Sequence, residues 1–352
     1  MSNQISSREE RSGAVICGAY GMGNAGDDAV LAAILTSLRR IERDIPVTVI
    51  ARDPAAVTEK YGVRAVHPLD ILRWRGAMKR AKLFISGGGS LLQDVTSRRS
   101  LQFYLLTIRT AKECGCAVQL YGCGVGPLLR DGSRRRTAEV LNACADVITL
   151  RDGESEKLLR DIGVTVPPVT VTADPALGLP PVRGERERAA GFVLRDWEGF
   201  GEAVPALAAC AGYVRDTYRL EPVLLCLAPE DHAAARTVSG LLEREGVSAA
   251  VSLDSRRLSR MSLVISMRLH GLVFALRDGI PAAGVSYDPK VSAFCAEAGL
   301  PCLELSEASP ESLRSLADAA VHLDGEALAA AASELRRRET GNAIAAAQLL
   351  GA

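Results

Sequence analysis

The sequence has few aromatic residues and no excess of either charge. Aromatic residues make up 4% of its 352 residues, too few for the stacking platforms that bind single-stranded nucleic acids. Its 42 basic residues are balanced by 42 acidic ones, so the formal net charge is zero. Nucleic-acid-binding domains usually carry a clear basic excess. We therefore expect no nucleic-acid partner.

Long apolar runs and paired cysteines are also missing. No uninterrupted apolar stretch approaches the roughly 20 residues of a membrane-spanning helix. The opening stretch, MSNQISSREERSG, has no apolar core of the kind that signal peptides contain. Nine cysteines occur without a C-x-x-C pair, so they are predicted to be reduced and structural, Cys114 and Cys116 included. These absences predict a cytoplasmic protein.

His, Asp and Glu form no cluster with the spacing of metal ligands. We therefore expect no metal requirement and no bound cofactor.

What the sequence does contain is an alternation of short β-branched segments and amphipathic helical patterns. Such alternation is typical of parallel sheets covered by helices on both faces. It runs through residues 1–178, stops in the Pro-, Gly- and charge-rich stretch Gly178–Ala189, and resumes over residues 190–324. The pattern predicts two doubly wound α/β domains joined by a linker. The Ala-rich residues 325–352 are predicted to form a helix that packs back on the first domain.

The most informative stretch is residues 262–290. A short apolar strand is followed by Arg268, Leu269, His270 and Gly271, where a helical pattern begins. A helix N-terminus favours anions, and an arginine there adds a bidentate grip on a carboxylate or phosphate. The next strand leads to Lys290. Because parallel strands end on one edge of a sheet, these cations are predicted to share an anion site. The alternative is that each is an ordinary surface or structural residue.

A glycine-rich loop, Gly21–Gly26, follows the first strand and satisfies G-x-G-x-x-G. A dinucleotide site is disfavoured there, because Asp27 and Asp28 would repel a pyrophosphate at the helix N-terminus. Gly23, Asn24 and the two aspartates suit a neutral polyol better. A tight turn capped by these side chains explains them equally well, and both interpretations stay open.

A second glycine cluster, Gly87 to Gly89, follows a later strand and leads into Ser90. Three glycines carry a large entropic cost, which indicates close approach of a ligand or of another segment. We therefore count Gly88, Gly89 and Ser90 with Gly23, Asn24, Asp27 and Asp28 as candidate acceptor-binding residues.

Three further places carry charge near strand ends. Arg151 lies just after a predicted strand, and a surface ion pair with Asp152 or Glu154 is its simpler interpretation. Arg195 ends the first strand of the second domain and is a further candidate. Asp231-His232 opens a helix and is interpreted only as a cap with a solvated neighbour.

Taken together, these motifs resemble the polysaccharide pyruvyl transferase family, in particular its CsaB-type cell-wall enzymes. The matching stretches run from about residue 14 to residue 303. Besides SMRLHG and GVSYDPK, they are GAYGMGNAGDD at Gly18–Asp28, ISGGGSLLQ at Ile85–Gln93, YGCGVGP at Tyr121–Pro127, LRDGES at Leu150–Ser155 and TADP at Thr172–Pro175.

The resemblance implies two Rossmann-like domains facing a cleft, as in glycosyltransferase-B enzymes. It implies transfer of pyruvate from phosphoenolpyruvate (PEP) to a sugar as a cyclic ketal, with release of phosphate. Arg151, Arg268, Leu269, His270, Gly271 and Lys290 would bind PEP, and His270 would be the acid or base. The acceptor would be an N-acetylmannosamine residue of a lipid-linked cell-wall precursor. The enzyme would then meet the inner face of the membrane transiently, without an anchor.

Two other functions fit parts of the pattern. An arginine and a histidine at a helix N-terminus would also suit the diphosphate of a nucleotide sugar, as in a glycosyltransferase of the same architecture. A non-catalytic protein that binds sugars or anions would need the same groups without turnover.

Overall fold

The computed structural model describes residues 11–95 and 97–352. The chain forms two compact units. The first contains Val30–Pro175, Thr340–Ala352 and the described residues before Gly23. The second contains Gly23–Ala29 and Ala176–Glu339. The chain passes from the first unit to the second between Pro175 and Ala176, within the 3₁₀ turn Pro175–Gly178.

The first unit is built on a seven-stranded sheet in the order β3-β2-β1-β4-β5-β6-β7, in which every pair is parallel. Its strands are β1 Ala14–Cys17, β2 Val47–Ile50, β3 Arg64–Val66, β4 Leu83–Gly87, β5 Ala117–Cys123, β6 Val147–Leu150 and β7 Val169–Val171. Its helices are α1 Ala25–Ile41, which begins in residues of the second unit, α2 Pro54–Tyr61, α3 Ile71–Arg80, α4 Arg98–Glu113, α5 Asp131–Cys144 and α6 Gly153–Asp161.

Both faces of this sheet are covered, which explains why its strands are almost continuously apolar. In β1, Val15 and Cys17 enter a core that includes Trp74 of α3. Ala14 and Ile16 point to the opposite face and enter the core formed with α1 and the last helix. The alternation of side chains along a strand thus supplies two separate cores.

The second unit has a six-stranded parallel sheet in the order β10-β9-β8-β11-β12-β13. Its strands are β8 Ala189–Val193, β9 Glu221–Leu225, β10 Ala250–Ser252, β11 Leu263–Ser266, β12 Ala282–Ser286 and β13 Cys302–Glu304. Its helices are α7 Phe200–Tyr218, α8 Asp231–Arg244, α9 Leu269–Asp278, α10 Pro289–Ala298, α11 Pro310–Val321 and α12 Gly325–Leu350. The predicted α/β class, with two parallel sheets flanked by helices, is confirmed.

The last helix, α12, begins at the predicted residue and ends two residues before the predicted end, and its residues from Thr340 onward belong to the first unit. There Asn342 is fully buried. Its backbone carbonyl accepts a hydrogen bond from Gln119 of β5 at 2.9 Å, and its side chain accepts one from the Thr172 hydroxyl at 2.8 Å. The side-chain amide donates to the carbonyl of Ala173 at 3.2 Å. These bonds fix the end of α12 on the first sheet.

Within the part of the chain that the structure describes, no helix is both long enough and apolar enough to cross a membrane.

Candidate active site

Four neighbouring strands of the second unit carry polar side chains just beyond their carboxyl ends. They lie in the order β9, β8, β11, β12. Because all four are parallel, the residues that follow them meet at one edge of the sheet. These residues are Glu230 and Asp231 after β9, Arg195 and Trp197 after β8, Arg268 and His270 after β11, and Tyr287, Asp288 and Lys290 after β12.

The guanidinium group of Arg268 is held by the buried carboxylate of Asp231. The guanidinium Nε lies 2.8 Å from Asp231 Oδ1, and Nη2 bonds to the same oxygen. Oδ2 of Asp231 accepts hydrogen bonds from the amides of Leu227 and Ala228, each at 3.0 Å. Burial raises the pKa of this carboxyl group, against the opposing charge of Arg268. The aspartate is 1% exposed, so it fixes the position of the arginine and does not face solvent.

The backbone of Arg268 is fixed as well. Ser266 Oγ accepts from the Arg268 amide at 3.0 Å and donates to its carbonyl at 2.7 Å. A side chain at Gly271 would overlap this hydroxyl, so glycine is required for α9 to begin so close to β11. Leu269 is buried in the first turn of α9. Leu269 and Gly271, two residues of the predicted anion site, therefore have a structural role at the start of α9.

Glu230 bridges the two arginines of the edge. Its Oε1 accepts from Arg268 Nη2 at 3.0 Å and from Arg195 Nη1 at 2.8 Å. Burial raises the pKa of Glu230, but a backbone hydrogen bond and the two guanidinium groups outweigh it and lower the pKa to about 2. The side chain is 53% exposed. A half-exposed carboxylate thus sits between two cations that an incoming anion would also reach.

Arg195, an additional candidate of the sequence analysis, is therefore brought next to Arg268. Its guanidinium lies 5.8 Å from the centroid of the Trp197 ring. Among the described residues, Arg195 Nε is buried and has no hydrogen-bond partner. A buried donor without an acceptor is costly, and a ligand oxygen would relieve that cost.

Tyr287 and Lys290 lie at the same edge. The Tyr287 ring is 5.2 Å from the Trp197 ring, and burial raises the pKa of its hydroxyl group. Lys290 is in the first turn of α10, with Nζ 2.8 Å from Asp288 Oδ2 and 5.9 Å from the Tyr287 ring. Lys290 and Arg195 therefore lie beside the two rings of one aromatic pair, Tyr287 and Trp197.

His270 lies in the first turn of α9, between the glycine-rich loop and Phe274. Its ring centroid is 5.9 Å from that of Phe274. On the other side it contacts Gly26, where any side chain would overlap the imidazole. Gly26 therefore sets the position of the ring that the sequence analysis made the candidate acid or base.

The glycine-rich loop divides between the two units, and Gly23–Ala29 groups with the second. The amide of Ala25 donates to Leu227 O at 2.7 Å. Asn24 Oδ1 accepts from the amide of Gly26 at 2.9 Å and from that of Asp27 at 3.4 Å, so Asn24 caps α1. Asp27 and Asp28 occupy the first turn of that helix. Turn and cap geometry thus account for Asn24, and a ligand role stays a prediction.

A cavity of about 310 Å³ adjoins this region of the second unit. Its lining combines apolar surface with two arginines and includes Ala25, Val182, Leu258, Phe274, Arg256 and Arg277.

In the first unit, Arg151 follows β6 and is buried, with 5% of its side chain exposed. Its Nη2 donates to Ser90 Oγ at 2.8 Å, its Nε is 3.4 Å from Asp152 Oδ2, and its Nη1 is 3.5 Å from Asp174 Oδ2. A Cβ at Gly124 would lie 2.7 Å from the guanidinium. The predicted ion pair with Asp152 is thus present. It is largely buried, however, and not the surface pair that was the simpler interpretation.

The second glycine cluster is explained by α1. A side chain at Gly88 would overlap Val30, and one at Gly87 would press on Ile34. Gly88 and Gly89 both have φ of +69°, a region that favours glycine. Of the two predicted causes, close approach of another segment is the one the structure shows for Gly88. Ser90 is fixed by Arg151.

The sequence analysis missed Glu230 and assigned Asp231 only as a cap. Asp231 does not cap α8, because its side chain accepts from the amides of Leu227 and Ala228 in the loop before the helix, and it also holds Arg268. A pair of carboxylates directly after an apolar strand was the available indication. Among the residues that the structure describes, no three His, Cys, Asp or Glu side chains are grouped to hold a metal ion.

The sequence matches the family model described as polysaccharide pyruvyl transferase over residues 24–225 and 255–289. These segments include the residues of the second-unit edge up to Asp288, except for Glu230 and Asp231. Comparison with curated proteins gives no match.

Several solved structures share the fold at low sequence identity. One is HepE of Anabaena in complex with UDP and glucose, with a TM-score of 0.60, 12% identity and coverage of 97% of this chain and 98% of that one. Another is a putative UDP-N-acetylglucosamine 2-epimerase of Listeria monocytogenes, with a TM-score of 0.64, 13% identity and coverage of 95% and 94%. A third is the UDP-GlcNAc 2-epimerase of Neisseria meningitidis bound to UDP-GlcNAc, with values of 0.61, 11%, 96% and 99%. At these identities the likeness is one of glycosyltransferase-B-like fold.

Proposed function

The chain belongs to the polysaccharide pyruvyl transferase family, and on that premise we propose that it transfers pyruvate from PEP to two hydroxyl groups of one sugar residue and releases phosphate. The product would be a cyclic ketal. The observation that carries the proposal is the carboxylate of Glu230 held between Arg195 and Arg268 beside a helix N-terminus.

PEP carries a carboxylate and a phosphate, close to three negative charges. One of these groups would take the place of Glu230 between the two guanidinium groups. Arg195 Nε, buried without a partner among the described residues, would gain an acceptor. Lys290 and the first amides of α9, near Gly271, would neutralise the other group. Each charge-assisted hydrogen bond is worth roughly 1.5–3 kcal/mol, so a few suffice for binding without a metal.

The chemistry would proceed through protonation of the methylene carbon of PEP, which develops oxocarbenium character at C2. One sugar hydroxyl attacks C2, phosphate leaves with its bridging oxygen, and a second hydroxyl closes the ketal. Of the two hydroxyl protons released, one balances the new methyl group and the other the phosphate. His270 is the proposed acid or base, because imidazole exchanges protons near neutral pH. Its fixed position against Gly26 supports that role.

The resemblance also assigns Arg151 to the donor site. Its guanidinium is buried against Asp152, Asp174 and Ser90. We therefore assign Arg151 an indirect role, in which it holds the Ser90 hydroxyl for a substrate. The alternative of direct contact with PEP would require the arginine to leave one of its two carboxylate partners.

The acceptor would lie beside Gly23, Asn24, Asp27 and Asp28 of the second unit. For Gly89 and Ser90 of the first unit, an acceptor role stays a prediction from the sequence. The cavity next to Ala25 offers space for part of a sugar. Within the family, we propose a CsaB-type acceptor, an N-acetylmannosamine residue of a lipid-linked cell-wall precursor at the cytoplasmic face of the membrane. If Asp27→Ala and Asp28→Ala leave the KM for the acceptor unchanged, this placement is wrong.

The donor is tested by titrating PEP into the wild-type protein and Arg268→Ala while measuring thermal stability. Ligand binding raises the unfolding temperature with the logarithm of ligand excess. We expect a PEP-dependent rise in the wild type and none in the variant. Arg160→Ala is the matched control, because Arg160 is paired with Glu156 at 3.3 Å but is 71% exposed and lies on α6, which contributes no residue to the proposed site. A PEP response that survives in Arg268→Ala would contradict the proposed site.

His270→Gln separates chemistry from binding. We expect near-total loss of phosphate release with PEP binding retained. If turnover largely survives, His270 only binds phosphate.

A nucleotide-sugar glycosyltransferase is the second candidate, and the fold it shares with UDP-bound proteins favours it. The two arginines would then hold a diphosphate. Stabilisation by UDP- or CMP-sugars and not by PEP would select this function. Binding without any phosphate release or sugar transfer would instead indicate a binding protein.

A further inference from the structure

Three exposed apolar residues form a tip at the start of helix α3: Leu69, which precedes the helix, and Ile71 and Leu72 in its first turn. The inward face of α3 consists of Trp74, Ala77 and Met78, which are at most 5% exposed. The outward side begins with Leu69, Ile71 and Leu72, which are 79%, 51% and 86% exposed. Among the eleven exposed large apolar side chains of the described residues, these are the only three that lie within four residues of one another.

The tip is held in place by the residues around it. The indole of Trp74 donates to Pro68 O at 3.1 Å, which ties the preceding loop to the buried face. Asp70 caps the helix by accepting from the Arg73 amide at 3.2 Å, and the amide of Leu69 donates to the His67 ring at 3.2 Å. The exposed leucines are therefore presented from a fixed turn.

Basic side chains surround this tip. Residues 69–82 contain five basic residues and one acidic residue, Asp70, in a protein whose total net charge is zero. Leu72, Arg75 and Lys79 are spaced by three and four residues, so they share one exposed helix face. All five basic residues are exposed: Arg73, Arg75, Lys79, Arg80 and Lys82.

We propose that residues 69–82 dock the protein on an anionic lipid surface. The leucines and Ile71 would enter the boundary between headgroups and acyl chains, and the basic residues would contact anionic headgroups. A nucleic acid would satisfy the charges but leave the apolar tip in water, whereas a lipid surface satisfies both. The docking surface itself does not depend on the proposed function. Only its biological role does, which would be to bring the enzyme close to a lipid-linked acceptor.

The test is sedimentation of the full-length protein with vesicles, without PEP or acceptor. One set contains phosphatidylcholine with about one third phosphatidylglycerol, and the other phosphatidylcholine alone. We expect binding to the anionic set that weakens with added salt. Arg75→Glu with Lys79→Glu should lower it about 25-fold or more, because each basic residue contributes roughly fivefold. Replacing Leu69, Ile71 and Leu72 by serine should lower it at least tenfold.

Matched controls use exposed residues elsewhere. Leu253→Ser removes a single leucine that is 69% exposed, and Lys157→Glu with Arg160→Glu makes the same change in net charge on α6. Both should bind as the wild type does. Equal loss in the controls, equal binding to both vesicle sets, or no binding would overturn the proposal. So would a change in oligomeric mass of the serine variant without a change in vesicle binding, because the tip would then be a protein contact.

The outcome is independent of the donor site. Phosphate release with a water-soluble sugar acceptor should be unchanged in the α3 variants. If PEP fails to bind but the vesicle result holds, the docking surface stands without the proposed reaction. If PEP binds but the α3 variants sediment as the wild type does, only the docking surface fails.

Discussion

Arg151 in the first unit and Arg268 in the second both follow the carboxyl end of a parallel strand and pair with two carboxylates. The two arginines differ in how far their carboxylate partners are exposed to solvent. Both acidic partners of Arg151 are largely buried, with Asp174 2% exposed and Asp152 17% exposed. Arg268 has one partner of each kind, since Asp231 is 1% exposed and Glu230 is 53% exposed. A fixed cation whose second partner is replaceable is suited to ligand binding, whereas a fully enclosed one is suited to holding structure.

The strongest test of this contrast is Arg151→Met. Removing the buried cation takes its positive charge away from Asp152 and Asp174, and should destabilise the protein by about 3–5 kcal/mol. Urea unfolding would measure the loss. Arg160→Met, which breaks an exposed pair with Glu156 at 3.3 Å, should change stability by less than about 1 kcal/mol. If Arg151→Met unfolds as the wild type does but no longer binds PEP, the distinction between the two arginines fails.

A second test places a methyl group against each site. Gly124→Ala presses on the Arg151 guanidinium and should cost about 1–3 kcal/mol of stability.

Gly26→Ala displaces the His270 ring and should lower turnover about tenfold or more, with little change in PEP affinity. Gly240→Ala in α8 has open space around the added methyl and should stabilise by about 0.5–1 kcal/mol. Comparable loss of turnover in the Gly124 variant would show that Arg151 is as closely coupled to the chemistry as His270.

A smaller effect is expected from Glu230→Gln. If Glu230 occupies the place of a substrate anion, neutralising it should raise PEP affinity several-fold, because less charge must be displaced. Isothermal titration would measure the change. Glu334→Gln is the control, since Glu334 is similarly exposed and pairs with Arg337 at 2.7 Å. Weaker PEP binding in Glu230→Gln would mean that this carboxylate positions the arginines and does not compete with the substrate.

The smallest effect concerns acid stability. The pKa of Glu230 is lowered from 4.5 to about 2, so its contribution to folding is complete above pH 4.5 and is lost as the pH falls toward 2. Unfolding free energies measured over that window should fall less steeply with decreasing pH in Glu230→Gln than in the wild type. Above pH 6 the two slopes should be equal. Identical slopes at low pH would show that the bridge between the arginines does not persist in solution.

Much of the fold could be predicted because the strands are short, apolar and regularly separated by helical patterns. Helical periodicity over the whole sequence nevertheless does not identify three helices: α2, α10 and α11. Each begins with a capping residue followed by proline, at Asp53-Pro54, Asp288-Pro289 and Ser309-Pro310. That combination is typical of a helix start, because proline fits the first helical position and the preceding side chain accepts a backbone hydrogen bond. The sequence therefore contained the indication.

The candidate site was only partly predictable. Arg268 and His270 could be predicted as site residues because they directly follow a predicted strand, which can be seen in the local sequence. The pairing of Arg268 with Asp231 spans 37 residues and depends on strand order, because β8 lies between β9 and β11. Likewise, Gly26 and Gly88 are required by His270 and Val30, which come from other parts of the chain. Local pattern cannot indicate which distant side chain a glycine must admit.

The anchoring of Asn342 has a consequence for how the protein is made. Strand β5 is synthesised 223 residues before the helix segment whose carbonyl accepts from Gln119. Until that segment leaves the ribosome, the face of the first sheet that α1 covers lacks the rest of its cover, and buried groups such as Gln119 and Thr172 remain open to water. A chain that stops early would keep this face exposed and would be a ready target for chaperones and proteases. The last turns of α12 thus complete one core of the first unit.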